Sequence, residues 1–310
     1  MPTYNRAHFL GSTLDSILVQ TYKKWECIIV DDGSTDYTEK LMEFYCAKDF
    51  RIQFHHRPKK RRKGANACRN YGFELCKGKY IQWFDSDDLM APNFLDLKVK
   101  AIEENKVDYV ISKSANFKDP NRADIISKNE KYYRFNDFEI TNYNYVTQKI
   151  NWLTYDFLGK REVCEKVRFN ETLSSGQEYN FFSKLTCFSV NGLIIDSYLT
   201  YRRMHSQSIR SNLYRNRKEK EELQYNQLET WRELSEISPN SPSVKYLFFS
   251  LIKIDSRERM NLKTQTYLLK TLLKKGRLHD VALLLCFEYI YKPSGIGYIF
   301  RKKLLQSIEK

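Results

Sequence analysis

Two apolar runs in the first third of this chain each stop at a cluster of carboxylates, and that pairing restricts the architecture more than any other feature. Tyr80-Ile81-Gln82-Trp83-Phe84 runs into Asp85-Ser86-Asp87-Asp88, and Trp25-Glu26-Cys27-Ile28-Ile29-Val30 runs into Asp31-Asp32-Gly33-Ser34. Short apolar runs bounded by turn residues read as buried strands. A buried strand supplies no reason for three acids within four residues, because their repulsion and desolvation must be offset by a cation or a donor network. A divalent metal, magnesium or manganese, meets that need: such hard cations take carboxylate oxygens, keep waters and complete their shell with phosphates. The structural alternative is that Asp87 or Asp88 caps the segment after Pro92, but capping employs one acid and not three.

After the second cluster, Gly33 and Ser34 supply a turn, and Asp36 with Glu39 marks a helix start. In open α/β sheets ligands bind beyond the carboxyl ends of the strands, so both clusters should face one cleft. One would hold metal and the other a nucleoside, whose imide N–H and ribose hydroxyls need acceptors. Asp31 and Asp32 as plain turn and cap residues is the simpler alternative. Strands are expected at Glu26 to Val30, Ile52 to His56, Tyr80 to Phe84 and Val107 to Ser112. Helix faces are expected at Leu10, Leu14, Ile17 and Leu18, at Leu41, Phe44 and Tyr45, and at Ala67, Tyr71 and Leu75. The alternation predicts an α/β fold of βαβ units with a mainly parallel sheet.

From about residue 116 to 150 the periodicity fades into a polar, tyrosine-rich stretch with Tyr132, Tyr133, Tyr143 and Tyr145, suited to loops over a cleft, although packing is the commoner use of such rings. Residues 214 to 310 turn helical, with a hinge at Pro239 to Pro242. The expected organisation is 1–115 and 116–213 as two halves of one catalytic domain and 214–310 as a basic helical extension. No apolar run approaches a bilayer span. Seven cysteines are scattered without a CxxC pair, as reduced thiols in a cytosol would be. The formal net charge of +14 calls for an anionic partner. Basic clusters fall at Arg57 to Lys63, Arg215 to Lys218, Lys274 to Arg277 and Arg301 to Lys303. No helix-turn-helix, zinc-finger or RNP-type signature accompanies them, so an anionic membrane surface fits better than nucleic acid.

Five ordered landmarks resemble glycosyltransferase family 2. They are Pro2-Thr3-Tyr4-Asn5-Arg6, Ser16-Ile17-Leu18-Val19-Gln20-Thr21-Tyr22, Val30-Asp31-Asp32-Gly33-Ser34, Gly64-Ala65-Asn66-Ala67-Cys68-Arg69-Asn70 and Asp85-Ser86-Asp87-Asp88. The likeness is firm over residues 1 to 115 and loose over 150 to 210. It implies a GT-A fold and inverting transfer from a nucleotide sugar. It places the donor against Pro2, Thr3, Tyr4, Asp31, Asp32, Lys63, Asn66, Arg69, Asp85 and Ser86, and the metal on Asp85 and Asp87 with His205 nearby. Ser174-Ser175-Gly176-Gln177-Glu178 resembles the segment where an acid opens a helix beside the acceptor, so Glu178 is the expected base. The family usually has Glu-Asp there, and Asp156 and Glu171 are the next acids in line. The implied acceptor is a glycan or lipid-linked hydroxyl, in bacterial surface-polysaccharide assembly, with the enzyme cytoplasmic and peripheral on the inner face of the plasma membrane. Rival classes are a nucleotide-sugar-binding protein without activity and a metal-dependent nucleotidyltransferase.

One departure stands out. Family members reach the first loop through an apolar strand, whereas Met1 stands directly at that loop, so the first strand is expected to be missing. An upstream start, a shortened chain and a sheet built without the strand all account for this. The first fits best, because losing a buried parallel strand leaves ladder groups unpaired.

Overall fold

The computed structural model describes residues 1–118, 125–205, 219–252, 262–274 and 276–309. It divides into two units, Met1–Arg217 and Lys218–Lys310. The first begins with β1 (Pro2–Thr3), a turn in which Asn5 takes a left-handed φ of 50°, and α1 (Ala7–Leu18). Leu10, Leu14 and Ile17 recur at helical spacing on α1 and are all buried. β2 (Cys27–Asp31), α2 (Thr38–Lys48) and β3 (Ile52–His56) follow, and the strands pair in parallel in the order β1-β2-β3. Strand residues are thus present ahead of the first loop, with Pro2 opposite Val30 and Thr3 opposite Asp31.

α3 (Ala65–Leu75) leads to β4 (Tyr80–Ile81), β5 (Leu89–Met90), α4 (Phe94–Asn105) and β6 (Tyr109–Phe117). Then come β7 (Ile125–Lys128), α5 (Asn142–Val146), β8 (Phe157–Lys160), α6 (Arg161–Cys164), α7 (Gln177–Phe188) and β9 (Gly192–Arg203). These strands form a second sheet in the order β4-β8-β6-β9-β5, with β7 on β6. The expected parallel pairing holds in the first sheet and between β6 and β9. The other pairs of the second sheet are antiparallel. β6 crosses position 115, so the two expected halves share one sheet.

β4 is shorter than the run Tyr80 to Phe84 suggested, because beyond Ile81 the side chains serve the core rather than the ladder. Trp83 is buried against Phe73, Phe157, Phe169 and Phe181, with ring centroids 4.8 to 6.2 Å away. The Gln82 amide meanwhile donates to the Trp83 and Thr154 carbonyls. Tyr133 and Tyr145 belong to the interior, whereas Tyr143 stays exposed.

A buried polar network braces this unit. The Lys98 ammonium donates to the Asp156 carbonyl at 2.7 Å and lies over the Phe94 ring. The Asp156 carboxyl accepts from the Leu153 N–H and the Tyr133 hydroxyl. Burial raises Asp156 to about 7 despite those donors and pulls Lys98 well below its ordinary value. These bonds tie α4, Tyr133 and the Leu153 turn together, and Asp156 is enclosed too completely to meet a substrate.

The second unit is helical, with Glu219–Ile237, Pro242–Ile252, Leu262–Lys274, Leu278–Cys286 and Tyr298–Glu309 as its longer helices. The Pro239 to Pro242 stretch marks the first break between helices. Leu284, Phe287 and Leu304 are wholly buried, so they form core and are not available to a membrane. Among the described residues, no helix is long and apolar enough to cross a membrane. The basic residues 215–218 and Lys275 lie outside the described residues.

Candidate active site

The carboxyl ends of β1 and β2 place Thr3, Asp31 and Asp32 side by side, and the Asp32 N–H donates to the Thr3 carbonyl at 2.9 Å. Asp31 accepts from the Gly33 N–H and from both the N–H and hydroxyl of Ser34, which closes the turn. Gly33 needs its φ of 91° to make that turn. Asp32 pairs with Arg57, from the basic loop. Tyr4 is exposed, and the Lys63 ammonium stands 4.5 Å from its ring centre, so an aromatic face and a cation are offered together at the surface.

The acid cluster after Trp83 separates into three roles. Asp85 accepts from Arg69 at 2.8 Å, and Arg69 also reaches the Asn66 side chain. Asp87 lies 3.1 Å from the His205 Nε2 and 3.6 Å from the Arg6 Nε. Burial works against ionisation of Asp87, but the His205 bond and the Arg6 charge outweigh it and bring its pKa below the ordinary aspartate value. Asp88 is fully enclosed. Burial first, then the charges of Asp87 and Asp85, pushes its pKa well up, and it accepts from the Arg203 N–H. Asp88 is therefore a pin between this loop and β9. Ser86 is buried at the turn between Asp85 and Asp87.

Arg203 was not foreseen. Its guanidinium donates to the Asp87 carbonyl and the Ser12 hydroxyl and lies 4.8 Å from the ring centres of both Phe9 and Phe117. The only sequence hint was an arginine two residues before His205.

Glu178 sits in the first turn of α7, behind Gly176 at a φ of 63°. Burial raises its pKa, Arg69 opposes that rise and Asp85 adds to it, so the base candidate and the acid loop act on one another. Asn66, expected on the donor, is instead buried and donates to the Asn170 and Leu173 carbonyls. These bonds tie the start of α3 to the segment that precedes Glu178. Glu171 is engaged by Asn70 at 3.0 Å and Arg61 at 3.7 Å. Changing Asn66 to Ala should lower turnover roughly tenfold while donor affinity holds, since a displaced catalytic group costs rate rather than binding. Parallel kcat and nucleotide-binding measurements check this.

Residues 1–168 match the protein-family model described as Glycosyl transferase family 2. The chain belongs to that family. An uncharacterized glycosyltransferase of Rickettsia bellii is 42% identical over 105 residues, covering 34% of this family 2 chain and 15% of the relative. The E. coli UDP-Glc:alpha-D-GlcNAc-diphosphoundecaprenol beta-1,3-glucosyltransferase WfgD is 32% identical over 129 residues, 41% of this chain and 48% of its own length. The matched stretch thus spans less than half of either relative. Among solved structures, S. aureus TarS residues 1–349 with UDP-GlcNAc superimposes with a TM-score of 0.61 at 16% identity, covering 99% of this chain and 88% of that one. The mannosyltransferase PcManGT of Pyrobaculum calidifontis, with GDP-Man and Mn2+, gives 0.57 at 16% identity, with 99% and 83% covered. At such identities the likeness establishes the fold, a GT-A glycosyltransferase architecture with a helical extension.

Proposed function

We propose that this family 2 glycosyltransferase moves a sugar from a UDP-sugar to a hydroxyl of a glycan or lipid-linked acceptor in a single inverting displacement. The observation that carries this reading is the ion pair of Arg69 with Asp85 at 2.8 Å, both of whose charges act on Glu178, which supports a base candidate beside the acid loop. The UDP-GlcNAc in the TarS complex and the UDP-Glc in the name of WfgD support the UDP choice, and the diphosphoundecaprenol in that same name supports a lipid-linked acceptor.

In this reading Pro2, Thr3, Tyr4, Asp31 and Asp32 form the nucleoside wall, while Lys63 and Arg69 donate to the diphosphate. Glu178 takes the proton of the acceptor hydroxyl as that oxygen attacks opposite the departing diphosphate, which inverts the anomeric carbon. Asp87 and His205 fit a divalent ion: an ionised carboxylate and an imidazole are adjacent, and both are ligand types for manganese. Among the described residues no third His, Cys, Asp or Glu joins them. The donor phosphates and water would complete the shell, with Asp85 assisting through water. A bound ion supplies Lewis-acid neutralisation of charge on the leaving diphosphate. Release of nucleoside diphosphate from a panel of UDP- and GDP-sugars, with and without manganese, tests the reading. Release from none of them with any acceptor defeats it.

The basic extension is the part we assign to an anionic membrane surface, on the exposed Lys302 and Lys303 beside Arg301. Each such charge contributes about 1 kcal/mol near anionic lipid, so binding should be reversible and weakened by salt. Sedimentation with anionic vesicles should pull the protein down at low salt, and neutral vesicles should not. Equal binding to both vesicle types, or to neither, leaves the extension an ordinary solvated surface.

A further inference from the structure

β9 ends in a pair of arginines that face opposite ways. Side chains alternate along a strand, so Arg202 shares a face with Thr200 and Arg203 takes the other. Arg203 lies against Phe9 of α1 and donates to the Asp87 carbonyl and the Ser12 hydroxyl. The Thr200 hydroxyl donates to the Tyr155 carbonyl at 3.1 Å, which puts Arg202 on the face of Tyr155, away from α1. Strand register fixes its height. On one side Arg202 is opposite Asn116 of β6, and on the other Leu89 pairs with Tyr201, so Asp88 is level with Arg202. The side chain is thus half-buried at the strand end beside the acid loop.

Unlike Arg203, it has no mate. Among the described residues the Arg202 guanidinium makes no hydrogen bond and no ion pair. The acids around it are engaged elsewhere: Asp85 with Arg69 at 2.8 Å, and Asp88 with the Arg203 N–H at 2.9 Å. Burial works against the Arg202 charge, but the oxygens of Tyr155, Asp88, Tyr132 and Asp85 outweigh it and raise its pKa. The same charge reaches Glu178, where it offsets part of the effect of burial. The buried Tyr155 hydroxyl also lacks a hydrogen-bond partner among the described residues. An arginine does not shed its charge, and a half-buried guanidinium whose donors are unused is costly until an anion meets it.

We propose that Arg202 is an anion subsite on the acceptor side of the cleft, whose guanidinium fork takes a phosphate or carboxylate carried by the acceptor. This rests on the reading of Glu178 as the base for an acceptor hydroxyl. Placement favours the acceptor over the donor. Lys63 and Arg69, assigned to the donor diphosphate, come from α3 and the loop before it, whereas Arg202 comes from β9 and faces Tyr155, away from the helix that follows the nucleoside wall. The planar fork matches either oxyanion with paired bonds.

The full chain, with UDP and manganese present to occupy the donor side, is titrated calorimetrically with glucosyl phosphate, sodium glucuronate and the neutral methyl glucoside. The phosphate stands for a sugar held on a lipid diphosphate, and the carboxylate for an acidic glycan. One of these anions should bind more tightly than the neutral sugar, and which one it is names the source. Arg202→Gln should weaken that binding at least about tenfold, the loss of a charged hydrogen bond, while UDP affinity holds. Arg202→Lys keeps the charge without the fork and should lose about threefold. It carries the comparison if circular dichroism shows that Arg202→Gln fails to fold. Binding of neither anion above the neutral sugar overturns the proposal, as does unchanged binding in the variants. A loss confined to UDP overturns it too, because Arg202 then serves the donor. Anion binding through Arg202 without release of nucleoside diphosphate from any nucleotide sugar keeps the subsite and defeats the transfer reading. Release with unaltered anion binding in Arg202→Gln does the reverse.

Discussion

Changing Asp87 to Asn is expected to lower kcat/KM by on the order of a thousandfold, the equivalent of about 4 kcal/mol of transition-state stabilisation. Asparagine keeps the shape of the side chain but removes the charge that faces Arg6 and His205. Manganese-dependent binding of UDP should weaken in parallel, while binding without metal changes little. Calorimetric titration of UDP with and without manganese separates these terms. Full activity of the variant, or of the unaltered protein in excess chelator, removes the metal role. The pH dependence has a definite sign. Because the folded pKa of Asp87 is depressed, its pairing is present above the ordinary aspartate range and is lost as pH falls through the lower folded value. Asp88 behaves oppositely: its raised folded pKa means that its contribution is intact at low pH and declines as pH rises through that value.

Glu178→Gln should reduce turnover by on the order of a hundredfold or more with donor affinity nearly intact, because only the proton-accepting group is lost. The raised pKa of Glu178 adds a second observable. A base works ionised, so the rate should climb with pH through a midpoint above that of an ordinary glutamate, and this limb should vanish in the variant. A pH–kcat profile at saturating donor checks both points. Unchanged turnover moves the base elsewhere. Glu171 would then be the acid to change next, since Asp156 is sealed behind Tyr133 and Lys98.

Much of the site was legible because its signals are local. The Asp31 turn is written in four consecutive residues, and its bonds to Gly33 and Ser34 span only two or three positions. Glu178 was readable as a helix-opening acid because Gly176 and the apolar pair Phe181 and Phe182 flank it within one turn on either side. β3 has the expected bounds, and β2 lies one residue further along than expected at each end.

What the sequence determined by itself, then, is where strands stop, which acids gather at those stops and which family the order of motifs resembles, since each depends on neighbours a few residues apart. Tertiary structure decided the division of labour among the acids. Asp88 is a pin because Arg203, 115 positions away, donates to it in a closed interior, where burial and the charges of Asp87 and Asp85 raise its pKa, whereas the pKa of Asp87 is lowered because His205 arrives from the same strand end. The Asn66 amide found its partners 104 and 107 positions distant. The antiparallel pairing of the second sheet is likewise an outcome of long-range contact. Hydrogen-bond partners and burial are properties of the assembled chain, and an aspartate is ion-pair member, pin or turn former according to what folding brings within about 3 Å of it.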